Sequence, residues 1–128
     1  YEILAWLEFR RVLFRSWGRD FTNEKDFLNY FINKYDGAFK IRKTKDGLYW
    51  GSGIIGKNYY EYVVLIPNEL ISVVLSSKKN CNQFSNYSTW LLQSIRNNIK
   101  SGGGISFSDY RGKECSGFWI INHNRLAN

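Results

Sequence analysis

The sequence predicts an α+β domain in which a mostly antiparallel sheet carries two helices packed on one face. Three observations support this fold class. Apolar residues recur at helical spacing in two segments, and alternating or β-branched segments lie between and after them. The chain is also too short to form two domains that each bury a core of ordinary size. The chain is 44% hydrophobic and 18% aromatic, so it has enough apolar material for a buried core.

The first helix is predicted over residues 23–35, in the segment "FTNEKDFLNYFINKYDG". Thr22 or Asn23 can cap its N-terminus, and two acids in the first turn suit the helix dipole. Gly37 is a typical residue just beyond a helix C-terminus. The apolar residues that recur at helical spacing are Phe27, Leu28, Phe31 and Ile32.

The segment "FKIRKTKDGLYWGSG" alternates as a strand does, and Asp46-Gly47 predicts a two-residue hairpin turn. This turn pairs Thr44 with Tyr49 and Lys43 with Trp50. The core-facing residues would then be Phe39, Ile41, Leu48 and Trp50. The residues on the other, basic face would be Lys40, Arg42, Thr44 and Tyr49.

Further strands are predicted in "YYEYVVLIP", which Pro67 ends, and in "LISVVLSS", where Asn68 also allows a short helix. After a polar loop, Ser88 is predicted to cap the second helix, "STWLLQSIRNNIKSGGG". In this helix Leu91, Ile95 and Ile99 follow one another on one face. The last two predicted strands are "ISFS" and "GFWII".

The segment "LEFRRVLFRS", residues 7–16, resembles one reading frame of a common sequencing-library adapter along its whole length. Strings of this kind occur in conceptual translations of metagenomic fragments. We therefore interpret residues 1–16 as a non-native segment. Residues 17–128 are expected to form a single domain that lacks its natural N-terminus.

The net charge stays positive when this segment is left out, because residues 17–128 contain 15 Lys and Arg against 9 Asp and Glu, a net charge of +6. Such a charge favours an acidic partner. We expect non-enzymatic nucleic-acid binding, with cations on the phosphates and Tyr49 stacking on a base. The predicted contact residues are Lys40, Arg42, Lys43, Lys45, Tyr49, Arg96 and Lys100, with Lys78 and Lys79 in a nearby loop. The same charges are also compatible with a merely solvated surface.

Two other functions are left open by the sequence. The first is a protein-interaction or immunity-type module that uses an aromatic surface, formed by Tyr59, Tyr60, Tyr62, Phe118 and Trp119. The second is a fragment of a nuclease in which Glu114 and His123 act as base and acid beside Arg111 or Lys113. His123 is the only histidine, and no catalytic residue is assigned.

Other signals are weak. "GSGIIG" matches a phosphate-binding glycine pattern, but a strand follows it instead of a helix, so we interpret it as a turn. Cys81 and Cys115 lack metal-ligand spacing and are expected to be reduced thiols. We predict no metal and no cofactor. The longest apolar run is too short to span a membrane, and a cytoplasmic protein of bacterial or phage origin is expected.

Overall fold

The computed structural model describes residues 19–82, 84–100 and 116–124. These residues form two α-helices, five strands and one 3₁₀ turn. In chain order the elements are α1 (Glu24–Tyr35), β1 (Arg42–Lys43), β2 (Tyr49–Ile55), β3 (Tyr59–Ile66), the 3₁₀ turn (Pro67–Glu69), β4 (Ile71–Lys78), α2 (Phe84–Lys100) and β5 (Ser116–Asn122). The strands pair in the order β1-β2-β3-β4-β5, each antiparallel to its neighbours. The α+β class and the antiparallel sheet are confirmed.

The two helices lie on opposite faces of the sheet, which corrects the prediction that both pack on one face. On the α1 face, Phe27 and Phe31 pack with Val63, Leu65 and Val74. On the α2 face, Leu91 and Ile95 pack with residues that include Tyr62, Val64, Ile66, Val73 and Leu75. Because consecutive residues of β3 and β4 are apolar, both faces of the two central strands need cover, and one helix supplies each.

Helix α1 begins one residue after the predicted start. Asn23 is the cap, since its side-chain oxygen accepts a hydrogen bond from the backbone N–H of Asp26 at 2.9 Å. Phe27 and Phe31, one turn apart, are at most 1% exposed, which anchors the helix on the sheet. The prediction for this helix is confirmed.

The hairpin between β1 and β2 has a different register from the predicted one. Lys43 lies opposite Tyr49, and Arg42 lies opposite Trp50. Backbone and side-chain hydrogen bonds join Thr44 to Leu48, so the loop has three residues and Gly47 adopts φ +86°. This loop is of the common type that ends in a left-handed glycine. The extra loop residue moves each β1 residue to the opposite face relative to its predicted partner.

Most of the "GSGIIG" segment lies inside β2, which corrects its interpretation as a turn. A Cβ atom at Gly51 would lie 2.7 Å from Cδ2 of Phe39, and one at Gly53 would lie 2.7 Å from Cδ1 of the same ring. The two glycines therefore leave room for Phe39, which also stacks on Tyr35 at 4.7 Å. Only Gly56, with φ +63°, belongs to the following turn.

The strand predictions for β3, β4 and "GFWII" are confirmed, with β3 ending at Pro67 as expected. "ISFS" lies outside the described residues. Helix α2 begins at Phe84, four residues before the predicted cap Ser88. The hydroxyl of Ser88 donates to the carbonyl of Phe84 at 2.8 Å, so this serine bonds back within the helix.

Cys81 lies at the junction of β4 and α2. It is buried and disulfide-bonded, which corrects the expectation of a reduced thiol at this position. Cys115, the other cysteine of the chain, lies outside the described residues. The backbone N–H of Phe84, the first residue of α2, donates to the carbonyl of Cys81 at 3.4 Å.

Candidate nucleic-acid interface

An open groove of about 500 Å³ runs between α2 and the α2 face of β2 and β3. We call it the α2 groove. Its sheet residues are Trp50, Ser52 and Tyr62, and its helix residues are Phe84, Ser85, Ser88, Thr89, Leu92, Gln93 and Arg96. The helix residues recur every three or four positions, so one face of α2 forms a complete wall.

Two aromatic pairs border the α2 groove. Trp50 stacks on Tyr62, with ring centroids 5.8 Å apart and planes inclined by 24°. Tyr60 stacks on Phe84 at 5.1 Å and 22°. Ser52 pairs with Tyr62 in the sheet and lies between Trp50 and Ile54 along β2. Because serine is small, the surface between the two stacks stays open.

Arg42 lies beside Trp50, and Arg96 lines the same groove and reaches the hairpin loop. The guanidinium of Arg42 lies 5.9 Å from the centre of a Trp50 ring. Arg96 lines the groove and donates from Nε to the Asp46 carboxylate at 3.0 Å. This ion pair connects α2 to the hairpin loop. A hydrogen bond from Thr44, followed by the influence of Arg96, lowers the pKa of Asp46, so Asp46 is charged at neutral pH.

Two of the other predicted contact residues, Lys43 and Tyr49, lie on the opposite face of the sheet from the groove. Lys43 lies 5.9 Å from the ring of Tyr49, and both are on the α1 face, where Tyr49 is half-buried against the core. Lys40 and Lys45 are exposed. Lys100 ends α2, but its side chain lies outside the described part of the structure. The predicted stacking residue Tyr49 thus lies on the face opposite to Arg42, whereas Trp50, which packs against the α2-face core as predicted, lies beside Arg42 and lines the groove together with Arg96.

Lys78 and Lys79 lie at the end of β4 remote from the hairpin loop, and Lys79 donates its backbone N–H to the carbonyl of Asn58. The structure does not bring them to the arginines. Ser52 and Phe84 also line the groove, although neither was predicted from the sequence as a site residue. Their signal is faint, because Ser52 was part of an assumed turn and Phe84 part of an assumed loop.

His123 is sealed in the α1 face. It is 0% exposed, and the rings of Phe21, Phe27 and Phe31 surround it at 5.4–5.8 Å. Its Nδ1 lies 2.7 Å from the carbonyl oxygen of Arg19, so Nδ1 carries the proton and donates. The hydroxyl of Ser72 then donates to Nε2 at 2.8 Å.

Burial lowers the pKa of His123, which keeps the ring neutral. The pair resembles a serine–histidine catalytic dyad in its distance, but both side chains are completely buried, so no substrate reaches them. Glu114, Arg111 and Lys113, which the nuclease hypothesis also requires, lie outside the described residues. His123 therefore has a structural environment.

Glu61 is a second buried polar group on the α1 face. It is 3% exposed at the centre of β3, and burial raises its pKa, while Tyr35 and Lys34 of α1 act in the opposite direction. Burial also raises the pKa of Tyr35. Because Glu61 and Tyr35 are at most 3% exposed, this cluster is part of the core.

The large apolar side chains that are exposed in the described part of the chain are four isoleucines on separate elements: Ile32, Ile54, Ile99 and Ile120. Isolated exposed residues of this kind are normal and do not form a docking patch. Of the aromatic residues considered for a protein partner, Tyr62 is buried, and Tyr59, Tyr60 and Trp119 are half-buried. The aromatic surface is therefore largely packed against the sheet and helices.

Comparisons with protein-family models, curated proteins and solved structures gave no match. Within the described residues, no three His, Cys, Asp or Glu side chains are grouped so that they could hold a metal ion. The helices seen in that part of the chain are too short or too polar to cross a membrane. The class defined by the fold is an α+β domain with a five-stranded antiparallel meander.

Proposed function

We propose that this protein is a non-enzymatic domain that binds single-stranded nucleic acid at the mouth of the α2 groove. The observation that carries the proposal is the grouping of Arg42, Trp50 and Arg96, contributed by β1, β2 and α2. Single-strand binding sites combine cations for the backbone with aromatic rings for the bases. The net charge of +7 also favours a polyanion.

A single strand fits the α2 groove better than a duplex does. The aromatic rings lie at the bottom of a groove between a helix and a sheet, where only unpaired bases can reach them. Lys40 lies between Phe39 and Ile41, which both pack on the α1 face, so alternation of the extended chain directs Lys40 toward the side of Arg42. Lys40, Arg42 and Arg96 are therefore the proposed phosphate contacts.

The salt dependence of binding tests this proposal. Fluorescence anisotropy would measure the affinity of the full chain for labelled single-stranded DNA and RNA between low and moderate salt. Each phosphate contact contributes about 0.7 to the slope of log K against log salt for a single strand. Replacing Lys40, Arg42 and Arg96 by Ala is expected to lower the slope by about two.

The control removes two exposed cations on the α1 side of the sheet, away from the groove: Arg19, which lies over Tyr30 of α1, and Lys25 of α1. This double Ala variant is expected to keep the slope of the unaltered chain. A further variant with Arg10, Arg11 and Arg15 replaced by Ala measures what the leading basic segment adds. Equal slopes for the Lys40/Arg42/Arg96 variant and the unaltered chain would contradict the proposal.

A cytoplasmic location remains a prediction, and the disulfide at Cys81 is an argument against it. Structural disulfides are typical of oxidising compartments and rare in the cytoplasm. Alkylation of freshly lysed producing cells, before and after reduction, measures the thiol state of the native protein. Labelling of Cys81 without reductant is expected for a cytoplasmic protein, whereas labelling only after reduction assigns the chain to an oxidising compartment.

A further inference from the structure

We infer that the α2 groove accepts one unstacked nucleobase over Ser52, with the attached phosphate directed toward Arg42 and Arg96. This inference rests on the proposed function and goes beyond it, because salt-dependent phosphate contacts alone require no base in the groove.

The shape of the groove supports a planar ligand. Trp50 and Tyr62 border the space over Ser52 on one side, and Phe84 borders it on the other. Positions 50, 52 and 54 of β2 project from the same face at intervals of about 6.6–6.8 Å, as in any antiparallel strand. Because Ser52 is small and lies between the bulkier Trp50 and Ile54, it leaves a gap along β2. The width of this gap is comparable with the thickness of one aromatic ring plus its van der Waals contact distance.

The chemistry of the groove supports a base within this planar class. Its walls carry the hydroxyls of Ser52 and Ser85 and the amide of Gln93, which can donate to and accept from the edge of a base. The Nε2 of Gln93 donates to Asn97 at 3.2 Å, and this bond holds the amide in one orientation. Aromatic contacts together with a few oriented polar groups are the usual composition of a site for a small planar ligand.

Charge decides between a nucleotide and a neutral ligand. No carboxylate of the described residues pairs with Arg42, and Arg96 keeps about a third of its side chain exposed despite its ion pair with Asp46. The Arg42 guanidinium lies over Trp50, and the Arg96 guanidinium lies at the hairpin loop through its ion pair with Asp46, so both guanidinium groups border the groove at its hairpin side. A base with its phosphate places a ring over Ser52 and a negative charge on this side, which matches both features.

The test compares binding of a short labelled oligonucleotide with binding of the same strand in which every base is removed. Both strands carry the same phosphates, so only a base contact distinguishes them. For the unaltered chain, the abasic strand is expected to bind about tenfold more weakly, as typical base–aromatic stacking implies. DNA and RNA versions of both strands show which source provides the base.

Two variants locate the contact. Ser52→Ile fills the groove from the strand and Ser85→Leu fills it from the helix, and each is expected to abolish the preference for the base-containing strand while the salt slope persists. Ile32→Ser, at an exposed isoleucine of α1 on the opposite side of the sheet, is the control and should leave the preference unchanged. Near-ultraviolet circular dichroism confirms the packing of each variant.

Equal affinity of the unaltered chain for both strands would overturn the base site and leave the phosphate surface standing. A preference that persists in both filled variants would also overturn it, because the base would then bind elsewhere. Absence of binding to either strand would overturn the inference and the proposed function together.

Discussion

The two faces of the sheet are covered to different extents. The α1 face encloses His123, Ser72 and Glu61, each at most 3% exposed, under a layer of aromatic rings. The α2 face is packed around Leu91 and Ile95, but an open groove runs along α2 from Phe84 to Arg96. His123, Ser72 and Glu61 on the α1 face therefore serve the fold, whereas Ser52, Gln93 and Arg96 on the α2 side line a groove that is open to solvent.

The difference shows that a chemically attractive group is not a site unless solvent reaches it. Ser72 and His123 have the identity and the distance of a catalytic pair, but burial lowers the pKa of the histidine and excludes substrate. Burial likewise raises the pKa of Tyr62 to about 12, so its phenol stays protonated. Trp50, which has no acid–base chemistry, is the better candidate because it is half-buried beside Arg42 and lines the groove together with Arg96.

The largest expected effect tests the sealed face. Phe31→Ala should lower the free energy of unfolding by about 3–5 kcal/mol, because it removes a ring that contacts Phe21, Phe27 and His123. Urea denaturation measures the change. Ile32→Ala, the adjacent residue with 41% exposure, is the matched control and should cost much less. Similar losses in both variants would show that α1 does not seal this face.

The next prediction concerns the close packing of Phe39 on β2. Gly53→Ala should lower the free energy of unfolding by about 1–3 kcal/mol, because the new Cβ meets the Phe39 ring at 2.7 Å. In a Phe39→Ala background the same substitution should cost little, since the obstructing ring is gone. A double-mutant cycle by denaturation measures this coupling. Additive losses would mean that the ring moves aside freely.

The pH dependence of stability distinguishes the buried groups. His123 has a lowered pKa in the folded protein, so the unfolded chain binds its proton first, near pH 6.5. The free energy of unfolding should therefore fall as the pH drops below 6.5, with a maximum slope of about 1.4 kcal/mol per pH unit. His123→Gln should remove this fall.

Glu61 changes stability in the opposite direction. Its pKa is raised in the folded protein, so its contribution is complete below about pH 4.5, its unfolded value, and is lost as the pH rises through the folded value. The free energy of unfolding should therefore be measured for two variants, Glu61→Gln alone and Glu61→Gln combined with His123→Gln, by urea titrations between pH 7 and 5. Identical pH profiles for the two chains would place His123 in contact with solvent.

The smallest expected effect concerns the ion pair at the groove. Asp46→Asn should change the free energy of unfolding by less than about 1 kcal/mol, because the pair with Arg96 is partly exposed. The same substitution frees Arg96 for phosphate, so the affinity for a single strand should rise at low salt. Anisotropy titrations measure this increase, and Asp36→Asn in the loop after α1 is the control. Unchanged affinity would indicate that Arg96 does not contact phosphate.

Much of the local structure was predictable because its causes are local. The Asn23 cap and the spacing of Phe27 and Phe31 predict α1, and Pro67 marks the end of β3. The start of α2 was missed, because Ser88 has the residue type of a cap, whereas in the structure its hydroxyl bonds to the carbonyl of Phe84 within the helix. The sequence predicted that the hairpin is basic, but it did not predict on which face of the sheet each basic residue lies.

The side of the sheet on which each hairpin residue lies was predicted wrongly, because the loop has one residue more than predicted. Thr44 closes a three-residue loop instead of a two-residue one, and this exchanges the sides on which Arg42 and Lys43 lie relative to their partners. The candidate site followed the same shift. Trp50 packs against the α2-face core, as predicted, and also lines the groove, whereas Tyr49 moved from the predicted surface to the α1 face, where it packs against the core.

The sequence by itself determined the helices, the strands and the positive charge, since caps, periodicity and composition act over a few neighbouring residues. Only the tertiary structure decided which face each helix covers, that Arg42 lies beside Trp50 while Arg96 reaches the hairpin loop, and that His123 is sealed while Trp50 lines an open groove. These properties depend on strand register and on contacts between residues about 50 or more positions apart, such as Arg96 with Asp46 and His123 with Ser72. No local pattern encodes such contacts, because they form only when the whole sheet has packed.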